Sequence, residues 1–172
     1  MAATEEIGNA APTTARRRGR PPATDSADTR RAILEAARTL FAERGYGAVT
    51  NKDVASAVGI KTGSLYHYVE SKLDLYAEVD RDMQRTIYDR FQDAVNGADT
   101  FLGKLTAVLE ASHRMGVEDP SLAAFVGAVR ADTRRHADID ERLSRYAEAR
   151  EQFFVDIVDV GVATGEIHID DK

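Results

Sequence analysis

Apolar side chains recur every three or four residues through most of this chain, and no segment alternates apolar with polar residues as a half-exposed strand would. The longest such stripe comprises Leu73, Tyr76, Val79, Met83, Ile87, Phe91 and Val95. A repeat of this length is typical of a long amphipathic helix. We therefore predict an all-α protein, and its 172 residues are enough to bury a real core.

The formal charge of −6 is distributed unevenly along the chain. Residues 1–72 carry 11 Lys and Arg against 8 Asp and Glu, whereas residues 73–172 carry 12 against 21, so the two parts have net charges of +3 and −9. A basic module attached to an acidic body is typical of a protein that brings one end to nucleic acid. No cysteine is present and no apolar run is long enough to span a membrane, so we expect a cytoplasmic protein without disulfides.

Residues 1–27 hold almost no large apolar side chain and are predicted to be a disordered basic arm. Arg18 and Arg20 in this arm suit insertion into an A·T-rich minor groove, and nonspecific attraction to phosphates is the alternative. A first helix is predicted over about 29–44, with Thr29 as its N-cap and Gly45 as its stop. Its inward face carries Ile33, Leu34, Ala37, Leu40 and Phe41.

Residues 50–72 read as two short helices with a tight turn between them. Thr50 and Asp53 form a capping-box pattern at the start of the second helix, and Gly59 ends that helix. A third helix is predicted over about 62–68, with Leu65 as its inward anchor. This arrangement is typical of a helix-turn-helix DNA reader, in which the later helix enters the major groove.

The third helix and its flanks carry the candidate DNA contacts. Thr62, Ser64 and His67 can exchange hydrogen bonds with base edges, and Gly63 lets the backbone approach DNA closely. A second group lies near helix starts or flanks, where phosphates are usually held. This group comprises Thr50, Lys52, Tyr66, Tyr68 and Lys72, and Lys61 is added to the candidate contacts. The competing interpretation is an ordinary polar surface on a small helical domain.

Beyond the long helix, further helices are predicted over about 100–116, from Pro120 onwards, and over about 138–163. Their inward residues are expected to include Phe101, Leu105, Val108, Leu109, Leu122, Phe125, Val126, Val129, Leu143, Phe153, Phe154, Ile157 and Val158. Candidate effector-binding residues are Phe101, His113, Met115, Phe125, Tyr146 and Phe153, although each also suits an ordinary core or surface role. No His, Asp or Glu set has metal-ligand spacing, so no metal or cofactor is predicted.

Residues 30–76 resemble the DNA-binding domain of the TetR/AcrR family of bacterial transcriptional regulators. The matching segments are Ile33-Leu34-Glu35-Ala36-Ala37, Leu40-Phe41, Arg44-Gly45-Tyr46, Thr50, Asp53-Val54-Ala55, Val58-Gly59-Ile60, Gly63-Ser64-Leu65-Tyr66-His67-Tyr68 and Ser71-Lys72. Lys61 and Val69 depart from the family, which often has Ser and Phe there, so Thr62 is expected to cap the third helix instead.

The resemblance implies a homodimer on a palindromic double-stranded DNA operator, and an unknown small-molecule effector bound in the acidic body. It divides the chain into the arm (1–27), a helix-turn-helix domain (28–72) and a helical effector-binding and dimerisation domain (73–172). Family members usually add two long helices after a segment like Gly165-Glu166-Ile167. Because this chain stops at Lys172, we expect either a short or truncated member or a dimer interface elsewhere, such as the 138–163 helix.

The leading interpretation is thus a ligand-responsive regulator, most simply a repressor. One alternative is a nonspecific architectural DNA-binding protein that uses the basic arm, which predicts broad binding with a steep salt dependence. A helical enzyme is a second alternative. It is disfavoured because no paired acids, activated nucleophile or metal cluster is visible, so no catalytic residue is predicted.

Overall fold

The computed structural model describes residues 23–144 and 148–168, and every regular element within these ranges is a helix. The helices are α1 (Ala23–Ala48), α2 (Asn51–Val58), α3 (Thr62–Leu65), α4 (Lys72–Val95), α5 (Phe101–Glu118), α6 (Pro120–Arg135), α7 (Ala137–Ser144) and α8 (Glu148–Ala163). The all-α prediction is confirmed. None of the helices in the described ranges is both long and apolar enough to cross a bilayer.

Helix α1 starts at Ala23, so the predicted start near Thr29 is wrong and residues 23–27 of the predicted disordered arm are helical. Residues 23–27 contain no large apolar side chain that could have marked this start, and the ion pair between Arg31 and Asp28 (3.3 Å) that follows them is exposed and contributes only modestly to the helix. The regular helix is interrupted at the predicted stop, Gly45, which adopts the non-helical φ +73° and ψ 164°, and a short helical turn then continues to Ala48. Residues 1–22, including Arg18 and Arg20, lie outside the described residues.

The turn between α1 and α2 follows its predicted chemistry. Thr50 caps α2 by accepting a hydrogen bond from the Asp53 backbone N–H (3.2 Å), and the Asp53 carboxylate accepts one from the Thr50 N–H (2.8 Å). Gly59 ends α2 with φ +76°, a left-handed conformation that favours glycine. The chain then turns directly towards α3.

Helix α3 is shorter than predicted, with only the four residues Thr62–Leu65 instead of 62–68. The remaining residues form a hydrogen-bonded turn, in which the His67 N–H donates to the Ser64 carbonyl (3.2 Å) and the Tyr68 N–H to the Leu65 carbonyl (2.9 Å). Weak helix formers such as glycine, serine, histidine and tyrosine dominate this stretch, so propensity gives it little support. The N-cap is Lys61 without a side-chain cap, so the expected Thr62 cap is wrong.

Helix α4 is the central helix of the fold, because both clusters of buried side chains include residues of this helix. The first cluster joins α1–α3 and the start of α4 to α6 and α7 through Leu122, Phe125, Ile139 and Leu143. The second cluster holds the far end of α4 against α5 and α8. The ring of Tyr76 lies at the centre of the first cluster, edge-on to Phe41 at 4.9 Å. The body therefore packs directly on the helices that precede it.

Helices α5 and α6 begin close to the predicted positions, and their N-caps are Thr100 and Asp119. Three of the residues expected inward on these helices are surface residues, since Leu105, Leu109 and Val126 are 36%, 62% and 36% exposed. The predicted spacing of the inward residues is correct, but the predicted face of the helix is not. Helix α5 buries Val108 together with Ala111 and Met115. The single helix predicted over 138–163 is described as two helices, α7 and α8, on which Phe154 and Val158 are also exposed.

Candidate functional site

The predicted recognition segment, residues 61–69, has one buried face and one exposed face. Leu65 and Val69 are buried in the first cluster, whereas Lys61, Gly63, Tyr66 and His67 are exposed. Thr62, Ser64 and Tyr68 are half-buried along the edge between the two faces. A polar face of this kind on a segment anchored by Leu65 can contact another molecule without disturbing the core.

Gly63 lies on the exposed face, in open space. An added Cβ there would meet no atom within 4 Å, and the φ of this residue is not in the left-handed region. The fold itself therefore does not require glycine at this position. A requirement for glycine would come from a molecule that approaches the backbone closely, as DNA does.

The start of α2 lies beside this segment. Thr50 and Lys52 are exposed, and the Thr50 hydroxyl donates to the Asp53 carboxylate at 2.6 Å. Hydrogen bonds from Thr50 lower the pKa of Asp53, so the cap is ionised over the whole physiological range. The Asn51 amide donates to the Tyr66 hydroxyl at 3.3 Å and so links α2 to the turn after α3. Asn51 is not among the sequence-predicted residues, since an asparagine at a helix start gives no distinct signal.

Lys72 differs from the other predicted phosphate contacts because it is engaged inside the protein. Its ammonium group donates to the backbone carbonyls of Tyr46 (2.9 Å) and Val49 (3.1 Å) and lies 4.1 Å from the centre of the Tyr46 ring. These contacts hold the chain between α1 and α2. Since an ammonium group has three donors, one remains for an outside acceptor.

Asp132 of α6 links the body to the same loop. Its Oδ2 accepts hydrogen bonds from the Tyr46 backbone N–H (2.9 Å) and from the Tyr76 hydroxyl (3.0 Å), and the residue is only 3% exposed. Burial, followed by the negative charge of Asp132, raises the pKa of Tyr76 far above its ordinary value, so the phenol stays a donor. One buried carboxylate thus ties α6 to the chain that leads into α2 and to α4.

Two partly exposed ion pairs flank this link. Arg38 of α1 pairs with Asp119 at the start of α6 (2.6 Å), and Arg142 of α7 pairs with Asp74 of α4 (2.8 Å). Pairs at this exposure contribute little to stability individually. Their effect is to fix the angle at which α6 lies on α1 and the angle at which α7 lies on α4.

A cavity of about 700 Å³ lies in the body between α4, α5, α6 and α8. This volume is typical of a site for a small organic ligand. Most of the wall is apolar, and the apolar side chains are Met83, Ile87, Tyr88, Phe91, Met115, Leu122, Ala123, Val126, Val129 and Phe154. The polar part of the wall comprises Gln84, Ser112, Arg130, Arg150 and Glu151.

The model for bacterial regulatory proteins of the tetR family matches residues 33–79, which run from the middle of α1 through the first two turns of α4. The HTH-type transcriptional repressor KstR2 of Mycolicibacterium smegmatis is 35% identical over 147 residues, which cover 84% of this chain and 70% of that protein. The protein belongs to the TetR family. The repressor of the same name from Rhodococcus jostii is 31% identical over 157 residues, or 87% and 74% of the two chains.

A solved member of the TetR family has the same architecture. The structure of the ketosteroid transcriptional regulator KstR2 of Mycobacterium tuberculosis aligns with a TM-score of 0.58 and 28% identity, over 79% of this chain and 69% of that one. As a TetR-family member, the chain is a DNA-binding transcriptional regulator and not an enzyme. The comparisons give no support to a nonspecific architectural protein.

Of the residues predicted to bind an effector in this TetR-family chain, Met115 lines the cavity. Phe125 lies in the first core cluster beside Tyr76 (5.3 Å), while Phe153 is buried behind the wall, stacked on Phe91 (5.8 Å). Phe101 is half-buried at the start of α5, and His113 is exposed. Tyr146 lies outside the described residues.

Most cavity-wall residues could not be recognised as such from the sequence, because the apolar ones follow the ordinary apolar pattern of an amphipathic helix. Met83, Ile87 and Phe91 belong to the apolar stripe of α4, which by itself indicates burial and not a cavity. Arg130 and Arg150 are single arginines on α6 and α8 with no distinguishing pattern around them. Within the described ranges, no group of three His, Asp or Glu residues is arranged to hold a metal ion.

Proposed function

We propose that this TetR-family regulator is a repressor that leaves a palindromic operator when a small molecule enters the cavity between α4, α5, α6 and α8. The observation that best supports this proposal is that α6 contributes both to the cavity wall and to the contacts with the helix-turn-helix domain. It supplies Val129 and Arg130 to the cavity wall and Asp132 to the hydrogen bonds with Tyr46 and Tyr76. A ligand that shifts α6 would therefore change how α2 and α3, the proposed DNA-reading helices, are held.

The proposed DNA surface is the exposed face of the recognition segment with the start of α2. Thr62, Ser64 and His67 would read base edges, and Gly63 would let the backbone approach the groove. The contacts to phosphates would come from Thr50, Lys52, Lys61, Tyr66 and Tyr68, with the remaining donor of Lys72. Arg18 and Arg20 remain candidates for the minor groove or for general attraction to the backbone.

The division into a basic arm (1–27), a reading domain (28–72) and a regulatory domain (73–172) is part of the same proposal. The buried cluster that includes Leu122 and Phe125 extends from the reading helices into α6 and α7, which supports mechanical coupling across the boundary at residue 72. A protein that acts on chromosomal DNA in a bacterium works in the cytoplasm, and we propose that location.

A homodimer is proposed, because two reading helices must reach successive major grooves of a palindrome. Apolar side chains at the surface of α5 and α8 support a partner there. Leu102 and Leu109 of α5 are 65% and 62% exposed, and Val155 and Val162 of α8 are 47% and 42% exposed. Burying such residues against a second copy would remove apolar surface from water.

The proposal is tested by selecting bound sequences from a random DNA pool and footprinting the winner. A protected palindrome is expected, and substitution of His67 by alanine should change which bases are preferred. His113→Ala is the matched control, since His113 is also exposed but lies on α5. Selection without any enriched sequence, or an equal effect of both substitutions, would contradict the assignment.

A further inference from the structure

We propose that the effector is an amphipathic monoanion, an apolar body carrying one carboxylate, whose charge is bound by Arg130 and Arg150 at the wall of the cavity. This inference rests on the proposed function, because it assigns the chemical class of the ligand for that same cavity. It follows from the balance of charges on the wall, from the surroundings of each arginine and from the apolar remainder.

The charges on the cavity wall are two arginines and one acid, Glu151, so the wall has a net positive charge. A carboxylate moved from water into an apolar cavity is strongly disfavoured unless it is paired. Arginine suits this pairing because its planar guanidinium binds a carboxylate through two parallel hydrogen bonds. The net charge of the wall matches one negative charge on the ligand.

Arg150 of α8 is half-buried, and no described residue shares a hydrogen bond with its guanidinium. The acid whose charge it feels is Asp80 of α4, which is 2% exposed and, among the described residues, accepts a side-chain hydrogen bond from the Gln84 amide alone (3.4 Å). Burial raises the pKa of Asp80, with Gln84 and Arg150 opposing that rise, so Asp80 is a weak counter-ion. The five donors of Arg150 are therefore available for a ligand.

Arg130 of α6 is exposed, and its guanidinium also shares no hydrogen bond or ion pair with a described residue. It precedes Asp132 by two positions, so the two side chains leave the helix about 200° apart. Arg130 thus faces the cavity from the side of α6 opposite to the link with Tyr46 and Tyr76. A ligand carboxylate drawn to Arg130 would pull on the helix that carries that link.

The rest of the wall selects for an apolar body. Ile87 and Phe91 of α4, Val126 of α6 and Phe154 of α8 contribute apolar surface from three sides of the cavity. A small polar anion would leave this surface in contact with water, whereas an alkyl or fused-ring body would cover it. Charge and apolar area together therefore specify an amphipathic anion.

The test uses three probes with the same alkyl chain, namely dodecanoate, 1-dodecanol and dodecylammonium, below the concentrations at which they aggregate. Binding to the full chain is measured by calorimetry, and release of a labelled operator is measured in parallel. Dodecanoate is expected to bind at least about tenfold more tightly than dodecanol, as the loss of charged hydrogen bonds predicts. Added salt should weaken dodecanoate binding and leave dodecanol binding unchanged.

Arg130→Gln and Arg150→Gln should each lower dodecanoate affinity by about tenfold without affecting dodecanol. Arg134→Gln is the matched control, because Arg134 is an exposed arginine one turn further along α6 and does not line the cavity. Thermal melting shows whether each variant is folded. If Arg150→Gln fails to fold beside the buried Asp80, the Arg130 variant still decides the question.

Equal binding of dodecanoate and dodecanol, or a loss with Arg134→Gln as large as that with Arg130→Gln, would overturn the inference. Tighter binding of dodecylammonium would assign the ligand charge to Glu151 instead, and binding of none of the probes would also overturn it. If dodecanol or dodecylammonium alone releases the operator, the proposed function stands and only the anionic class fails. The proposed function itself fails if no operator is bound in the absence of every probe.

Discussion

Replacing Asp132 should loosen the joint between α6 and the DNA-reading helices. Its Oδ2 accepts two hydrogen bonds, from the Tyr46 backbone N–H at 2.9 Å and from the Tyr76 hydroxyl at 3.0 Å. Hydrogen bonds to charged groups contribute about 1.5–3 kcal/mol each to stability. No discount for solvent screening applies, because Asp132 is only 3% exposed.

Asp132→Ala leaves both donors buried without an acceptor, so we expect the free energy of unfolding to fall by about 3–5 kcal/mol. Asp132→Asn keeps the shape and one acceptor oxygen and should cost about 1–2 kcal/mol. Tyr76→Phe removes one of the two donors and should cost about as much as the asparagine variant. These values are to be measured by urea unfolding at neutral pH.

The same variants distinguish a structural role from a role in operator binding. Because the Tyr46 N–H lies on the chain that leads into α2, Asp132→Asn should weaken operator binding, whereas Tyr76→Phe, which acts on α4, should weaken it less. In a double-mutant cycle the two changes should be non-additive, since they share one carboxylate oxygen. Unchanged stability and operator affinity in Asp132→Asn, or strict additivity in the cycle, would refute the reasoning.

Four further substitutions test separate parts of the molecule. Gly63→Ala should keep or slightly raise stability in urea, since the added Cβ meets no atom within 4 Å, but weaken operator binding; equal affinity would show that DNA does not approach this backbone. Lys72→Met should cost about 1–2 kcal/mol in the same assay, because two carbonyls of the α1–α2 loop lose their donor, and a loss of affinity without a loss of stability would restore a purely phosphate-binding role. Asp80→Asn should stabilise the protein increasingly as the pH rises above about 4; burial raises the pKa of Asp80 in the folded state above its ordinary value, so the wild type loses stability as the pH rises towards that raised pKa, and parallel pH profiles would contradict the shift. Leu109→Glu, at a residue 62% exposed, should leave the fold intact and shift sedimentation from dimer to monomer; an unchanged sedimentation coefficient would exclude this part of α5 from the interface.

Helix boundaries that depend on a local signal could be predicted from the sequence. The capping box of Thr50 and Asp53 and the left-handed Gly59 both act within three or four residues of the chain. The start of α1 could not be found in the same way, because its first turn carries neither an apolar stripe nor a recognisable cap. Local chemistry thus predicted the boundaries of α2 better than the start of α1 or the length of α3.

The hydrogen bonds that link α6 to the helix-turn-helix domain could not be predicted, because the residues that form them are far apart in sequence. Asp132 lies 86 positions from Tyr46 and 56 from Tyr76, and an aspartate on an amphipathic helix normally suggests a solvated surface. The hydrogen bonds of Lys72 inside the protein could not be predicted for the same reason, since its carbonyl partners at Tyr46 and Val49 depend on how the loop folds back.

The cavity depends on the gaps between helices, which periodicity does not specify. Met115 and Phe125 have similar positions in their apolar stripes, yet Met115 faces the cavity while Phe125 fills the core beside Tyr76. Leu109 was expected to face inward but is exposed. An apolar stripe gives the spacing of inward residues, whereas tertiary packing decides which face of the helix is buried.

Regulation through α6 requires only a small energetic change. A hundredfold weakening of operator binding corresponds to about 2.7 kcal/mol of differential affinity between two states. One hydrogen bond to a buried charge lies in this range, and Asp132 accepts two. A ligand held by Arg130 would therefore need to displace α6 only far enough to break the bond to the Tyr46 N–H, since the segment entering α2 would then lose its hydrogen bond to α6 and keep those from Lys72. A ligand that binds the cavity tightly but leaves that bond intact should not release the operator, because affinity that is equal in both states shifts no equilibrium.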